Sequence, residues 1–215
     1  MKEKKITKFI VPILLIVTFG AFTFLVTKID VQPVGPENSK IGFATFNMAV
    51  HRLVGTHLVW YNITDWLGLV PVYFAFALGV LGFVQLVNRR SIFRIDKKLL
   101  LMGGFYILII GLYVCFEKWI INYRPVVLGK NLEASYPSSH TMIVISILGT
   151  GIIFLKDYIK SKRVYNCISI IFMFVILVTV IGRCLSGVHW ATDIIGGLLI
   201  SSGIVCLYKA ICDIL

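Results

Sequence analysis

The side chains able to do chemistry gather in three short clusters. These are Lys118-Trp-Ile-Ile-Asn-Tyr-Arg124-Pro125, Tyr136-Pro137-Ser138-Ser139-His140 and Arg183-Cys-Leu-Ser-Gly-Val-His189-Trp-Ala-Thr-Asp193. His189 and Asp193 are four residues apart, so on a helix they share one face. A carboxylate in that position can hold an imidazole in one tautomer and leave its other nitrogen free as a nucleophile. His140 supplies a second imidazole, which fits a general acid for a leaving group. Lys118, Arg124 and Arg183 are three fixed cations. They suit a doubly charged phosphate, and arginine adds a planar fork that matches its oxygens. His140, Ser138 and Ser139 open an apolar run, where the free N–H groups of a helix start also favour an anion. Phosphoryl transfer asks chiefly for positioning and charge stabilisation, which this inventory supplies. No His, Cys, Asp or Glu set has the spacing of a metal site. The expectation is therefore a site without metal or cofactor.

The elements that carry these clusters are membrane spans. Of 215 residues, 58% are apolar and 14% charged, with a mean hydropathy of +0.91. A soluble domain has roughly 45–50% apolar and about 25% charged residues, so a water-soluble globule is excluded, and so is disorder. A bilayer crossing needs about 20 mostly apolar residues. Runs near 9–26, 66–87, 99–116 and 164–181 meet that without an internal charge. Runs near 139–155 and 189–207 reach it only by including their polar ends. The reading is an all-α integral membrane bundle of six transmembrane helices forming one domain over 1–215. An extracytoplasmic interfacial helix is expected over about 41–60, with His51, Arg52 and His57 on it. The first run follows Met-Lys-Glu-Lys-Lys and reads as a retained span, with no Ala-x-Ala site behind it.

Six spans put both termini on one side. Lys28, Lys40, Arg52, Lys118, Arg124, Lys130 and Arg183 fall on the opposite side, and the other 14 of the 21 basic residues fall with the termini. The positive-inside rule then makes the termini cytoplasmic and all three clusters extracytoplasmic. The formal charge of +11 is explained by inner loops facing anionic lipid, not by nucleic acid. The five cysteines, 115, 167, 184, 206 and 212, have no paired spacing and read as small core residues. Trp60, Trp66, Trp119 and Trp190 fall at span ends as an aromatic belt. Lys130 and Glu133 read as solvated loop residues.

The three clusters resemble the signatures of the type-2 phosphatidic acid phosphatase superfamily: Lys-x6-Arg-Pro, Pro-Ser-Gly-His and Ser-Arg-x5-His-x3-Asp. The third is matched from Arg183 through His189 to Asp193, with Gly182 where Ser is usual. The second is matched by Pro137-Ser138-Ser139-His140, with Ser for Gly. The first has five residues, not six, between Lys118 and Arg124. The resemblance implies metal-independent hydrolysis through a phosphohistidine. By position, His189 is the nucleophile, Asp193 its partner and His140 the general acid. Lys118, Arg124 and Arg183 bind the phosphoryl group, with Ser138 and Ser139 assisting. The implied substrate is a lipid phosphate or pyrophosphate at the outer face of a bacterial-type plasma membrane. Undecaprenyl pyrophosphate leads, with phosphatidylglycerophosphate and phosphatidic acid as alternatives. An anion transporter or channel would use the same ionisable cluster differently, and it predicts polar residues continuing through the membrane. Partners beyond the lipid and the bilayer, including the oligomeric state, are not legible in the sequence.

Overall fold

The two runs that look weakest as membrane spans form the centre of the bundle. The computed structural model describes residues 2–215, with side chains from Ile6 onward. The side chains of Lys2, Lys4 and Lys5, counted above among the inner charges, lie outside the described residues. Among the described residues, eight α-helices follow in order: α1 (Lys2–Val26), α2 (Ala44–Val54), α3 (Leu58–Leu67), α4 (Leu69–Arg89), α5 (Lys97–Lys118), α6 (Ser139–Tyr158), α7 (Lys162–Ser186) and α8 (Ala191–Cys212). Six stretches are long and apolar enough to cross a membrane, α3 and α4 counting as one, Leu58–Arg89. Half of the apolar windows of α6 and α8 is buried inside the protein, against 11–28% in the others. A helix lined by protein can carry polar residues that a lipid-facing one cannot. Buried Thr150 and Ser201 do so, donating to the carbonyls of Ser146 at 2.7 Å and Gly197 at 2.6 Å.

α1 packs along α8, and α6 lies between α8 and α7. Gly149 lets α6 and α8 meet, since a Cβ there would stand 2.8 Å from Val205 Cγ2. Large apolar side chains such as Trp66, Phe76, Ile107 and Ile170 point outward from the bundle. Only lipid can cover such a surface. The cysteines follow the same logic and correct the expectation above. Cys212 is buried and Cys206 half-buried, but Cys115, Cys167 and Cys184 are exposed and all five are free. In a bilayer a small apolar side chain needs no core.

Both termini lie at one end of the bundle. There Lys8 pairs with Asp213 at 3.2 Å and Lys98 with Asp157 at 2.5 Å. Asp96 caps α5, accepting from the N–H of Lys98 at 2.9 Å. The three polar clusters meet at the other end, where Thr23 of α1 hydrogen-bonds Tyr136 at 2.7 Å.

The expected interfacial helix over 41–60 is instead two pieces. α2 stops at Gly55, whose φ is +72°, and α3 begins after His57 and runs through Gly68 into α4. The cause is the turn between α7 and α8. Gly187, at φ +64°, lies so close to Gly55 that a Cβ would stand 1.9 Å from its carbonyl oxygen. The His57 N–H also donates to the Ser186 carbonyl at 3.0 Å. The chain therefore bends around that turn, and the apolar residues after it join the fourth helix. Buried Asn47 anchors α2, donating to Thr192 Oγ1 at 2.9 Å and accepting from the Thr192 N–H at 3.1 Å.

α3 packs on α7 at Gly182. A Cβ on Gly182 would stand 2.4 Å from Thr64 Cγ2, and Thr64 Oγ1 is itself fixed by the Trp60 carbonyl at 2.8 Å. This contact accounts for glycine at a position where the resembling motif has serine. Gly182→Ser should therefore destabilise the detergent-solubilised protein by about 1–3 kcal/mol, the usual cost of overpacking. Thr64→Ser, which removes the opposing methyl, should restore most of it. Thermal unfolding of both single variants and the double variant checks this.

Candidate active site

A narrow hairpin and two helix ends hold the site together. Residues 122–135 double back, with an antiparallel bridge between Tyr123 and Ala134. The Arg124 N–H donates to the Glu133 carbonyl at 3.1 Å, and the Ser135 N–H to the Asn122 carbonyl at 2.9 Å. The hairpin is locked onto α8, because Trp190 Nε1–H donates to the Tyr123 carbonyl at 2.7 Å. The start of α6 is tied to α8 by the Ser138 N–H, which donates to the Asp193 carbonyl at 2.9 Å.

His189 and Asp193 come together as their spacing requires, but not in direct contact. Their nearest atoms, His189 Nδ1 and Asp193 Oδ2, are 3.8 Å apart, too far for a hydrogen bond. Ser135 Oγ stands between them, 3.0 Å from Nδ1 and 2.5 Å from Oδ2. Asp193 is fully buried and also accepts from the Trp190 N–H at 2.8 Å and from Asn122 Nδ2 at 3.3 Å. Counting protons fixes the tautomer. A carboxylate only accepts, so the Ser135 hydroxyl gives its hydrogen to Asp193. Its oxygen must then accept from His189 Nδ1–H, which leaves Nε2 bare. Burial holds the His189 imidazole below its ordinary pKa of 6.5, Asp193 opposes that shift, and Arg124 and Arg183 reinforce it. The ring is accordingly neutral near pH 7, with a free lone pair on a buried, unpartnered Nε2.

His140 and Arg183 share one carboxylate. Asp65 of α3 places Oδ1 3.1 Å from His140 Nε2 and 3.2 Å from an Arg183 terminal nitrogen. Arg183 is fully buried, and the Tyr61 ring covers its guanidinium at 4.8 Å. Its Nε and second terminal nitrogen have no partner, nor does His140 Nδ1. Arg124 pairs with Glu133 at 3.3 Å and keeps its Nε unpartnered. His189 and His140 lie near enough to Arg124, Arg183 and each other to feel their charges. Ser138 is buried at the α6 start, its hydroxyl accepting from Thr141 Oγ1 at 3.1 Å. Ser139 is half-buried in the first turn, where the leading N–H groups lack intrahelical acceptors. Lys118 is not brought to the others. It is the last residue of α5, exposed, and makes no hydrogen bond or ion pair with the cluster. The helix ends there, and the five residues between Lys118 and Arg124 follow bends and irregular chain instead of a helix.

Several residues of the site carry no sequence signal of their role. Ser135 reads as an ordinary loop serine, and its burial follows only from the hairpin. Asp65 lies in an apolar stretch 118 residues from Arg183. Glu133, read above as solvated, pairs with Arg124. Trp190 is buried and does not join an aromatic belt, whereas Trp66 and Trp119 are exposed. His51 lies 5.6 Å from the Trp190 ring, and burial pushes its pKa down. Among the described residues, no three His, Cys, Asp or Glu side chains are grouped as a metal site would need.

The sequence profile of the PAP2 superfamily matches residues 104–213, which include every motif residue named above. The fold is similar to a crystal structure described as the first transmembrane PAP2-type phosphatidylglycerolphosphate phosphatase from Bacillus subtilis. That similarity has a TM-score of 0.64 and 18% sequence identity, and it covers 95% of this chain and 97% of that one. No curated protein matches the chain by sequence.

Two outcomes follow from the site geometry. Ser135→Ala removes a charge-assisted hydrogen bond from a buried carboxylate and the acceptor from Nδ1–H. Hydrogen bonds to charged groups are worth about 1.5–3 kcal/mol, so turnover should fall about 10- to 100-fold. The second outcome concerns pH. Because burial depresses the His189 pKa, the acid limb of the activity profile should lie below pH 6.5. A kcat/KM profile with an acid limb above 6.5 would contradict the assignment.

Proposed function

The chain belongs to the PAP2 superfamily and is a phosphoric ester hydrolase, and on that premise we propose that it dephosphorylates a membrane lipid through a phosphohistidine at His189. The observation that carries this reading is the set of buried ring and guanidinium nitrogens left without partners. His189 Nε2, His140 Nδ1, two nitrogens of Arg183 and Arg124 Nε are all in that state. Such groups are costly to bury alone, and a phosphoryl group satisfies every one of them.

The steps follow from those atoms. The His189 Nε2 lone pair attacks phosphorus as the bond to the leaving oxygen breaks, and protonated His140 gives that oxygen its proton. Arg183 and Arg124 hold the equatorial oxygens, and the first turn of α6 adds N–H groups. The imidazolium formed is stabilised through Ser135 by Asp193. Water then attacks the phosphohistidine, neutral His140 takes its proton, and the P–N bond breaks to release inorganic phosphate and restore His189. Two arginines and an imidazolium supply the charge stabilisation, so the reaction needs no metal.

The substrate is a lipid whose head group sits at the interface while its chains stay in the bilayer. A polar cavity of about 490 Å³, lined by Tyr113, Glu117, Arg124, Lys130 and Glu133, opens beside Arg124 and gives a head group room. The basic-residue count supports an extracytoplasmic site. There a carrier lipid is left as its pyrophosphate after delivering its cargo, which supports undecaprenyl pyrophosphate. A second reading, phosphatidylglycerophosphate, has its own support in the fold likeness to a phosphatidylglycerolphosphate phosphatase. Transport of an anion fits less well. Residues 141–155 of central α6 carry no charge, and the hydroxyl of Thr150 there is satisfied by backbone.

Purified protein in detergent should release phosphate from undecaprenyl pyrophosphate faster than from phosphatidylglycerophosphate or phosphatidic acid. It should do so equally with EDTA and be blocked by vanadate. His189→Ala should be inactive, and His140→Ala should lose about 10²–10⁴-fold with poor leaving groups. Full activity in His189→Ala would end this mechanism. Sidedness is checked with Asn131→Cys and Ser161→Cys, both exposed, in a background lacking the native cysteines. An impermeant thiol reagent should reach only position 131 in intact cells, and reaction at 161 alone would invert the topology.

A further inference from the structure

We propose that Asp65, which lies outside all three motifs, is a positioning residue that decides which nitrogens of His140 and Arg183 face the phosphoryl group. The inference rests on the reading of His140 as general acid and of Arg183 as a phosphate ligand. Both side chains divide cleanly into an occupied and an open side. One oxygen of Asp65 takes His140 Nε2 at 3.1 Å and an Arg183 terminal nitrogen at 3.2 Å. The open side is His140 Nδ1 together with Arg183 Nε and the other terminal nitrogen, all buried and unpartnered. A carboxylate on Nε2–H orients the ring and stabilises its protonated form, so Nδ1–H becomes the proton delivered to the leaving oxygen. This repeats, on the second histidine, the job that Asp193 does through Ser135 on the first.

The placement of Asp65 is built into the fold. Gly182 admits Thr64 to close contact, which brings the neighbouring Asp65 to the residue after Gly182, Arg183. Tyr61, one turn earlier on α3, lies over the same guanidinium. At the end of α3, Gly68 faces the imidazole, where a Cβ would stand 3.1–3.2 Å from His140 Cδ2 and Nε2. α3 therefore forms one wall of the site and fixes ring and guanidinium together. The charged and titratable groups facing His140 are Asp65 from α3, Arg183 from α7, His189 from the turn before α8 and Arg124 from the hairpin. Asp65 is the one anion among them.

The test uses two probes that differ in leaving group, phosphatidic acid and p-nitrophenyl phosphate, with the full chain in detergent. An alkoxide needs a proton to leave and a nitrophenolate does not. Asp65→Asn should lower kcat about 100-fold on phosphatidic acid and less than about 5-fold on p-nitrophenyl phosphate. The basic limb of its phosphatidic acid profile should move to lower pH, and Asp65→Glu should recover part of the rate. Turnover of p-nitrophenyl phosphate also shows that the variant is folded. Equal losses on both probes, or a lower KM with unchanged kcat, would overturn the proposal. The latter would make Asp65 only a competitor of phosphate. His140→Ala is the control for the underlying reading. If its loss is the same on both probes, His140 is not the general acid and the proposal falls with it.

Discussion

One serine hydroxyl, held between a buried imidazole and a buried carboxylate, determines what this site can do. At 3.8 Å His189 and Asp193 are too far apart to fix each other. With Ser135 in between, the proton on Nδ1 has an acceptor and the carboxylate has a donor. An ionised carboxylate without partners would be very costly in this position. Here the Asp193 carboxylate accepts from Ser135, Trp190 and Asn122. The free lone pair on Nε2 is thus a consequence of where every other proton has to be.

Much of the outer end of the bundle serves that arrangement. Asn122 donates to Asp193 and accepts from the Gly42 N–H at 3.2 Å, so the connection after α1 is joined to the site. The hairpin carrying Ser135 also carries Arg124, and the Tyr123 carbonyl clasps Trp190. Central α6 and α8 bring His140 and Asp193 to the same height through the Ser138–Asp193 backbone bond. On the far side, α3 reaches the site because α7 has only a hydrogen at Gly182.

The parts legible in the sequence are those with a period or a motif. Long apolar runs indicate six crossings, and the four-residue spacing of His189 and Asp193 indicates that these two side chains lie close together. Position-specific packing was less legible. Apolar residues after Gly55 look equally suited to lying on a membrane or entering it, and the α7–α8 turn decides between the two. Ser135 and Asp65 show no pattern because their partners are 54 and 118 residues away in sequence. Lys118 matched a motif by type but not by spacing, and the end of α5 leaves it facing outward. The exposed cysteines mark a further limit, since a rule that buries small apolar residues assumes water outside.

The tautomer and charge of His189 can be observed directly. With only four histidines in the chain, ¹⁵N-histidine labelling in lipid bilayers, with His189→Gln to assign the signal, reports protonation at each ring nitrogen. Near pH 7 the signal should be that of a neutral ring with hydrogen on Nδ1 and a bare Nε2, and Ser135→Ala should disturb it. An imidazolium, or a neutral ring protonated on Nε2, would contradict the account.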